Sequence, residues 1–405
     1  MAGISRPASY FTSRIYFACI AILLCSLYLQ PFWQGPFIES WDHLGHLFKA
    51  RMIAEHWFPD FHGWNPYFFL GAVDGVHYPP LFHWLVAGLS YCFTLPTAYR
   101  LLISAALLAC WPSVYFFLRQ YKYKREGAAL GATALFAYQC LSRDNTGGNL
   151  VSTLITGNSA EIFSLPFLFL FAATIPDMLR GRRSWTAVCF FSIIILTHLV
   201  TAAFAAFLLA GFLLHHPIRQ SWLNTVLFLG RSFLICAFWL LPFFLYSDGS
   251  LIYPTGNMPL NFLELGLLTA TIVYALPGPL ASLRRVGEPL ALALIVTLGV
   301  LLLNSLAGHL LPFHYPRFKL FIVSFSLLSL AGVMNQISIT YRRSLSVTLQ
   351  LMLVLLISIF GLEMPSARSM PAAPPAFPVL TGRVLSVSDP ELKRPRHQDL
   401  YYPAD

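Results

Sequence analysis

The segment Glu39-Ser-Trp-Asp-His-Leu-Gly-His places two carboxylates and two imidazoles within eight residues. Glu39, Asp42, His43 and His46 stand at i, i+3, i+4 and i+7, which on a helix is one face. Such a face suits general acid–base chemistry, with Asp42 taking or orienting a hydroxyl proton and Glu39, His43 and His46 positioned beside it. It also suits a divalent metal such as Mg or Mn, with Asp42 and His46 as candidate ligands. A competing reading makes it the solvated polar face of an interfacial helix, with Leu44, Leu47 and Phe48 turned toward lipid. A closed structural zinc site has no cysteine to support it.

Further polar residues stand at intervals down the chain. Gly71-Ala-Val-Asp-Gly-Val-His-Tyr-Pro-Pro-Leu-Phe is a turn whose Asp74 and His77 either line a pocket or stabilise the turn itself. Asp144 and Glu161 bracket a second polar stretch, and His198 follows an apolar run. Near the other end come His309 and His314-Tyr-Pro-Arg-Phe-Lys. Arg317, with His314 and Lys319, could hold a lipid phosphate, because a guanidinium meets phosphate through two parallel hydrogen bonds. Interfacial snorkelling of Arg317 and Lys319 is the alternative.

The elements that must position these residues are membrane helices. Hydrophobic residues make up 57% of the chain and charged residues 11%, with mean hydropathy +0.65. Soluble domains carry roughly a quarter charged residues, and here the apolar residues come in charge-free blocks of about bilayer-spanning length. The net charge of +9 therefore reflects membrane topology rather than nucleic-acid binding. The seven cysteines lie in apolar segments without metal-type spacing and read as small hydrophobes.

The expected fold class is all-α, a polytopic transmembrane bundle of about eleven spans. The first is an uncleaved span at Ile15–Phe32. Spans at Leu101–Leu118, Gly127–Leu141, Ile162–Ile175, Trp185–Leu196 and Val200–Leu214 follow. Pro217–Arg231 reads as a cytoplasmic interfacial helix. The remaining spans are Ser232–Tyr246, Phe262–Leu276, Pro289–Ser305, Leu320–Asn335 and Leu345–Leu362. The topology turns on Pro80–Leu95. If it lies at the outer interface, the basic clusters at 119–125, 180–183, 284–285 and 342–343 all fall inside, as the positive-inside rule requires. The N-terminus is then inside, the C-terminus outside, and the polar residues above collect on the outer face. Charge gathered near hydrocarbon on one face calls for a function. Residues 1–362 form the membrane domain, with outer loops at 35–97 and 142–161. The tail 363–405 lies outside, and Thr381-Gly-Arg-Val-Leu reads as the start of a strand in a further outer domain.

The order of these motifs resembles the GT-C superfamily of membrane glycosyltransferases. The likeness is nearest to the bacterial 6-pyruvoyl-tetrahydropterin-synthase-related membrane domain. Trp41-Asp42-His43-Leu44, Tyr78-Pro-Pro-Leu81, Gly157-Asn-Ser-Ala-Glu161, Leu196-Thr-His198 and Phe313-His-Tyr-Pro-Arg-Phe318 carry it. It implies a glycosyltransferase moving a sugar from a polyprenyl-phosphate donor to a glycan or polysaccharide acceptor at the outer face of a bacterial inner membrane. Asp42 would be the catalytic carboxylate; Asp74, His77, Asp144, Glu161, His198, His314, Arg317 and Lys319 would bind substrate. The second outer loop holds Asp144 alone, without the Asp-x-Asp that would argue for a metal-dependent mechanism. The alternative function is a non-catalytic polyprenyl-lipid or polysaccharide-binding component of an export complex. A transporter fits less well, since no internal repeat is visible and the charges sit at span ends. The expected partners are the polyprenyl lipid, the glycan acceptor and membrane lipids, with no nucleic acid.

Overall fold

The computed structural model describes residues 7–34, 42–67, 72–141, 150, 154, 156–215, 218–246, 288–306 and 317–328. Glu39, Asp144, His314, the spans expected at Phe262–Leu276 and Leu345–Leu362 and the tail 363–405 lie outside the described residues.

The first span is helical throughout. α1 (Pro7–Leu24) passes through a π-helical turn (Cys25–Leu29) into α2 (Gln30–Gln34). Pro31 lacks the N–H that would close the next α-helical bond. The ladder widens just before it, and the Gln30 N–H reaches back to the Cys25 carbonyl.

The segment between α2 and Leu95 is built, among the described residues, from short pieces. α3 (Asp42–Met52) runs into a π-helical turn (Ile53–Trp57). A hairpin of β1 (Gly63–Asn65) and β2 (Ala72–Asp74) follows, antiparallel with Gly63 opposite Asp74. α4 (Leu81–Leu89) has nine residues. Its length of about 14 Å is less than half a hydrocarbon core, so α4 does not cross.

The bundle consists of α5 (Leu95–Gln120), α6 (Arg125–Leu141), α7 (Ser159–Leu179), α8 (Ser184–Ile195), α9 (Leu199–His215), α10 (Arg219–Tyr246) and α11 (Glu288–Leu306), with residues 317–328 forming α12. α5, α7 and α10 are long and apolar enough to span a membrane. α7 has 21 residues where the sequence suggested only Ile162–Ile175, so it reaches across without bilayer thinning.

α5 packs on α7, α7 on α8 and α9, and α9 on α11. Phenylalanines fill the seams: Phe169 and Phe204 both meet Phe325, while Phe171 stacks on Phe228. Tyr99 near the start of α5 touches Ser159 at the start of α7, so the two helices run the same way. Their far ends lead into the basic turns at Arg119–Arg125 and Arg180–Arg183. The basic turns and the polar loops therefore sit at opposite ends of the pair.

One expectation fails. Pro217–Arg231 is not a separate interfacial helix, because α10 is a single helix of 28 residues. The apolar stripe Trp222, Leu223, Val226 and Leu227 is exposed along its flank. Arg231 does not break the helix, because Ser184 Oγ accepts from it at 3.2 Å and the Trp185 ring lies 5.0 Å below its guanidinium.

Candidate functional site

Asp42 begins α3, where a carboxylate favours the helix dipole. Its Oδ2 lies 3.8 Å from Arg317 Nη2 at the start of α12. The other terminal nitrogen of Arg317, Nη1, lies 3.5 Å from His198 Nε2 in the turn between α8 and α9. Three elements far apart in sequence thus meet at one guanidinium. Both members of the ion pair stay partly open, with the Asp42 side chain 41% exposed and that of Arg317 28%. Burial raises the Asp42 pKa above the ordinary carboxylate value, and the Arg317 charge counters that in part.

His198 is held by a directional chain of hydroxyls. The Ser164 hydroxyl donates to the Glu161 carbonyl at 2.8 Å, leaving Ser164 Oγ to accept from Thr201 at 2.8 Å. Thr201 Oγ1 then accepts from His198 Nδ1–H at 2.8 Å, its own N–H making only a longer contact of 3.4 Å to the ring. His198 Nε2 is left with a lone pair facing Arg317. Burial, reinforced by the Arg317 charge, pushes the His198 pKa well down, which keeps the ring neutral and able to accept.

The other histidines of α3 do not face solvent. His43 is fully buried, with Nδ1 2.7 Å from Tyr99 Oη and Nε2 2.7 Å from the Leu154 carbonyl. A carbonyl only accepts, so Nε2 carries the proton and Nδ1 accepts from Tyr99. The Tyr99 hydroxyl also touches Ser159 Oγ, tying α3, α5 and α7 together. Burial lowers the His43 pKa to about 4, against the Leu154 bond, which acts to raise it.

His46 stacks on His83 of α4, their centroids 5.0 Å apart and Nδ1 2.8 Å from His83 Nε2. The Pro79 carbonyl takes the His83 proton, so His83 Nε2 accepts from His46. Burial, with the Lys49 charge behind it, lowers the His83 pKa to about 3. The two histidines of the face read as polar and solvated are thus turned into the protein, and Leu47, expected on lipid, is buried in the core.

Asp74 holds its own turn. Its Oδ1 accepts from Gly75 N at 2.7 Å, its Oδ2 accepts from Asn65 at 3.1 Å, and Lys49 Nζ lies 3.7 Å away. Burial alone would raise its pKa, but Lys49 and these hydrogen bonds outweigh it and hold it below the usual value. Lys49 also sits 4.6 Å above the Tyr78 ring. His77 is exposed, whereas Lys319 is 3% exposed, which is not the geometry of a snorkelling lysine.

Glu161 is buried beside this centre. The turn before it presses on α3: Gly157 has φ +80°, and a Cβ there would lie 2.4 Å from His43 N. Asp42 and His43 therefore pack closely against Gly157, four residues before Glu161.

Residues 76–260 match the sequence model of the 6-pyruvoyl-tetrahydropterin synthase related domain, a membrane protein. No curated protein matches the chain. The matched stretch contains Tyr78, Glu161 and His198 of the site; Asp42 and Arg317 lie on either side of it.

The structure thus sets Asp42, Glu161 and His198 around the Arg317 charge. His43 and His46 hydrogen-bond to other partners, His46 still feeling the Arg317 charge, and Asp74 both holds its turn and lines a small pocket with Lys49, Tyr78 and His83. Among the described residues no three of His, Cys, Asp and Glu converge as a metal site. Sequence reasoning missed Tyr99, Lys49 and His83. A lone imidazole inside the apolar run Leu81–Leu89 was the one signal available for His83.

Proposed function

We propose that the chain is a GT-C-like membrane glycosyltransferase working at the outer face of the membrane on a polyprenyl-phosphate-linked sugar. The observation that supports this reading best is Asp42 Oδ2 at 3.8 Å from Arg317 Nη2, with both side chains partly open. The carboxylate orients or deprotonates an acceptor hydroxyl, and the guanidinium holds the phosphate of the donor and stabilises its leaving charge. His198 positions Arg317 by accepting from Nη1. On this reading Lys319 and His314, which flank Arg317 in sequence, are further candidates for the phosphate. No resident metal is needed for these roles, although Asp42 is open to one such as Mg or Mn.

The site lies at the helix ends opposite the basic turns. With those turns inside, as the positive-inside rule favours, it opens outward. Nucleotide sugars are not available there, so a lipid-linked donor fits the location. The pairing of Asp42 with Arg317 also favours a second reading, in which the centre only binds a polyprenyl lipid or polysaccharide within an export assembly.

Mass spectrometry of lipids co-purifying with the protein tests both readings, and both expect a polyprenyl phosphate. Asp42→Asn separates them. Loss of glycan formation in cells lacking the native copy, with lipid retained, supports transfer; full function of Asp42→Asn supports the binding reading.

A further inference from the structure

Glu161 lies in the first turn of α7 and is 1% exposed. Ser164 satisfies its backbone carbonyl, yet among the described residues neither carboxylate oxygen has a hydrogen-bond partner. A buried carboxyl group in that state opposes folding, and proteins keep such groups where a ligand completes them. The charge acting on Glu161 is Arg317, the same guanidinium that pairs with Asp42 and rests against His198.

Glu161 is also fixed in place. Gly157 is pressed against the backbone of Asp42 and His43, and Ser159 is bound to Tyr99. The turn is anchored at both residues, so the side chain cannot escape to water by a shift of backbone.

The chemistry of the vicinity narrows the ligand. An apolar group would leave both oxygens bare, whereas a hydroxyl-rich group can both donate to and accept from a carboxyl group. On the proposed reading of the site, which this inference deepens, the phosphate on Arg317 carries such a group. We propose that Glu161 is the sugar-recognition residue of the Asp42–Arg317 centre, its carboxyl group exchanging hydrogen bonds with hydroxyls of the sugar whose phosphate Arg317 holds.

The test uses the purified full-length protein in nanodiscs with two probes, a polyprenyl phosphate and the same lipid carrying a hexose. Wild type should bind the hexosyl lipid roughly tenfold tighter or more, the scale of two ordinary hydrogen bonds. Glu161→Leu should bring that ratio close to one while leaving the bare lipid within about twofold. Arg317→Ala should weaken both lipids. Without ligand, Glu161→Leu should melt above wild type, because an unpartnered buried polar group is gone. A structural role predicts the reverse, so melting of Glu161→Leu below wild type would overturn the assignment. An unchanged lipid ratio in Glu161→Leu, with Arg317→Ala still impaired, would overturn it alone. If wild type bound neither lipid, the glycosyl-lipid reading and this assignment would fall together.

Discussion

Asp42 and Arg317 are 275 positions apart in the chain and 3.8 Å apart in space, joined as an ion pair between two helices. Either residue alone would be an exposed charge near the membrane surface. Together, with His198 on the far side of the guanidinium, they form a preorganised pair whose open edge can take an anion and a hydroxyl.

Arg317→Ala should weaken donor binding, and Arg317→Lys should restore it only partly, because a lysine cannot make the planar paired contact. His198→Ala should act in the same direction but more weakly, since it removes the support and leaves the guanidinium. Donor affinities of the three variants test this; equal affinity in wild type and Arg317→Ala would rule out the phosphate role.

Turnover should rise with pH along an acid limb set by Asp42, because only the ionised carboxylate serves as a base. Burial places that limb above the ordinary carboxylate pKa, and Arg317 pulls it back down. Arg317→Ala should therefore move the limb to higher pH, and Arg317→Lys should move it less. A pH–rate profile of each variant checks the sign.

Acid should weaken the fold through its histidines. A neutral buried ring gains its proton more readily when unfolded, so its contribution is complete above the unfolded value of 6.5 and is lost as pH falls toward the folded value. For His43 that window runs from 6.5 down to about 4, and its loss amounts to about 3 kcal/mol. His46 and His83, both lowered by burial, act in the same direction. Melting curves across this range should flatten in His43→Phe, although that variant starts less stable because Tyr99 and Leu154 lose their partner.

Gly157→Ala should cost about 2 kcal/mol or more, since it combines a left-handed backbone with a Cβ 2.4 Å from His43 N. Folded yield and melting temperature measure it. Gly230→Ala, in a helix where nothing lies within 4 Å of the added atom, is the matched control and should be neutral or slightly stabilising.

The helices were legible because apolar run length is set by the bilayer, and three of them are long and apolar enough to cross it. The boundary inside α10 was misread because Arg231 looked like the end of a helix; its partners Ser184 and Trp185 come from another segment and leave no local trace. Spacing placed Asp42, His43 and His46 on one helix but could not say which way the helix faces. That depends on Tyr99, Leu154 and His83, contacts between distant segments that no periodicity encodes.

Labelling should place Lys122 and Arg183 on the cytoplasmic side and Asp60 on the other. An impermeant reagent that reached Lys122 from outside would invert the site with respect to the membrane and remove the case for a lipid-linked donor.

The segment that precedes the bundle is strapped to it partly through atoms that every residue shares. Leu81 N–H donates to the Leu196 carbonyl at 2.8 Å, and the Gly75 carbonyl accepts from Trp239 Nε1 at 3.2 Å. Of the four groups in these two straps, only the indole belongs to a side chain. Positions 81 and 196 can therefore drift to other residues while the strap persists, and a comparison of side chains alone would never find it. Position 239 is the exception: only a long donor survives there, which makes it the place where variation among relatives would loosen the loop.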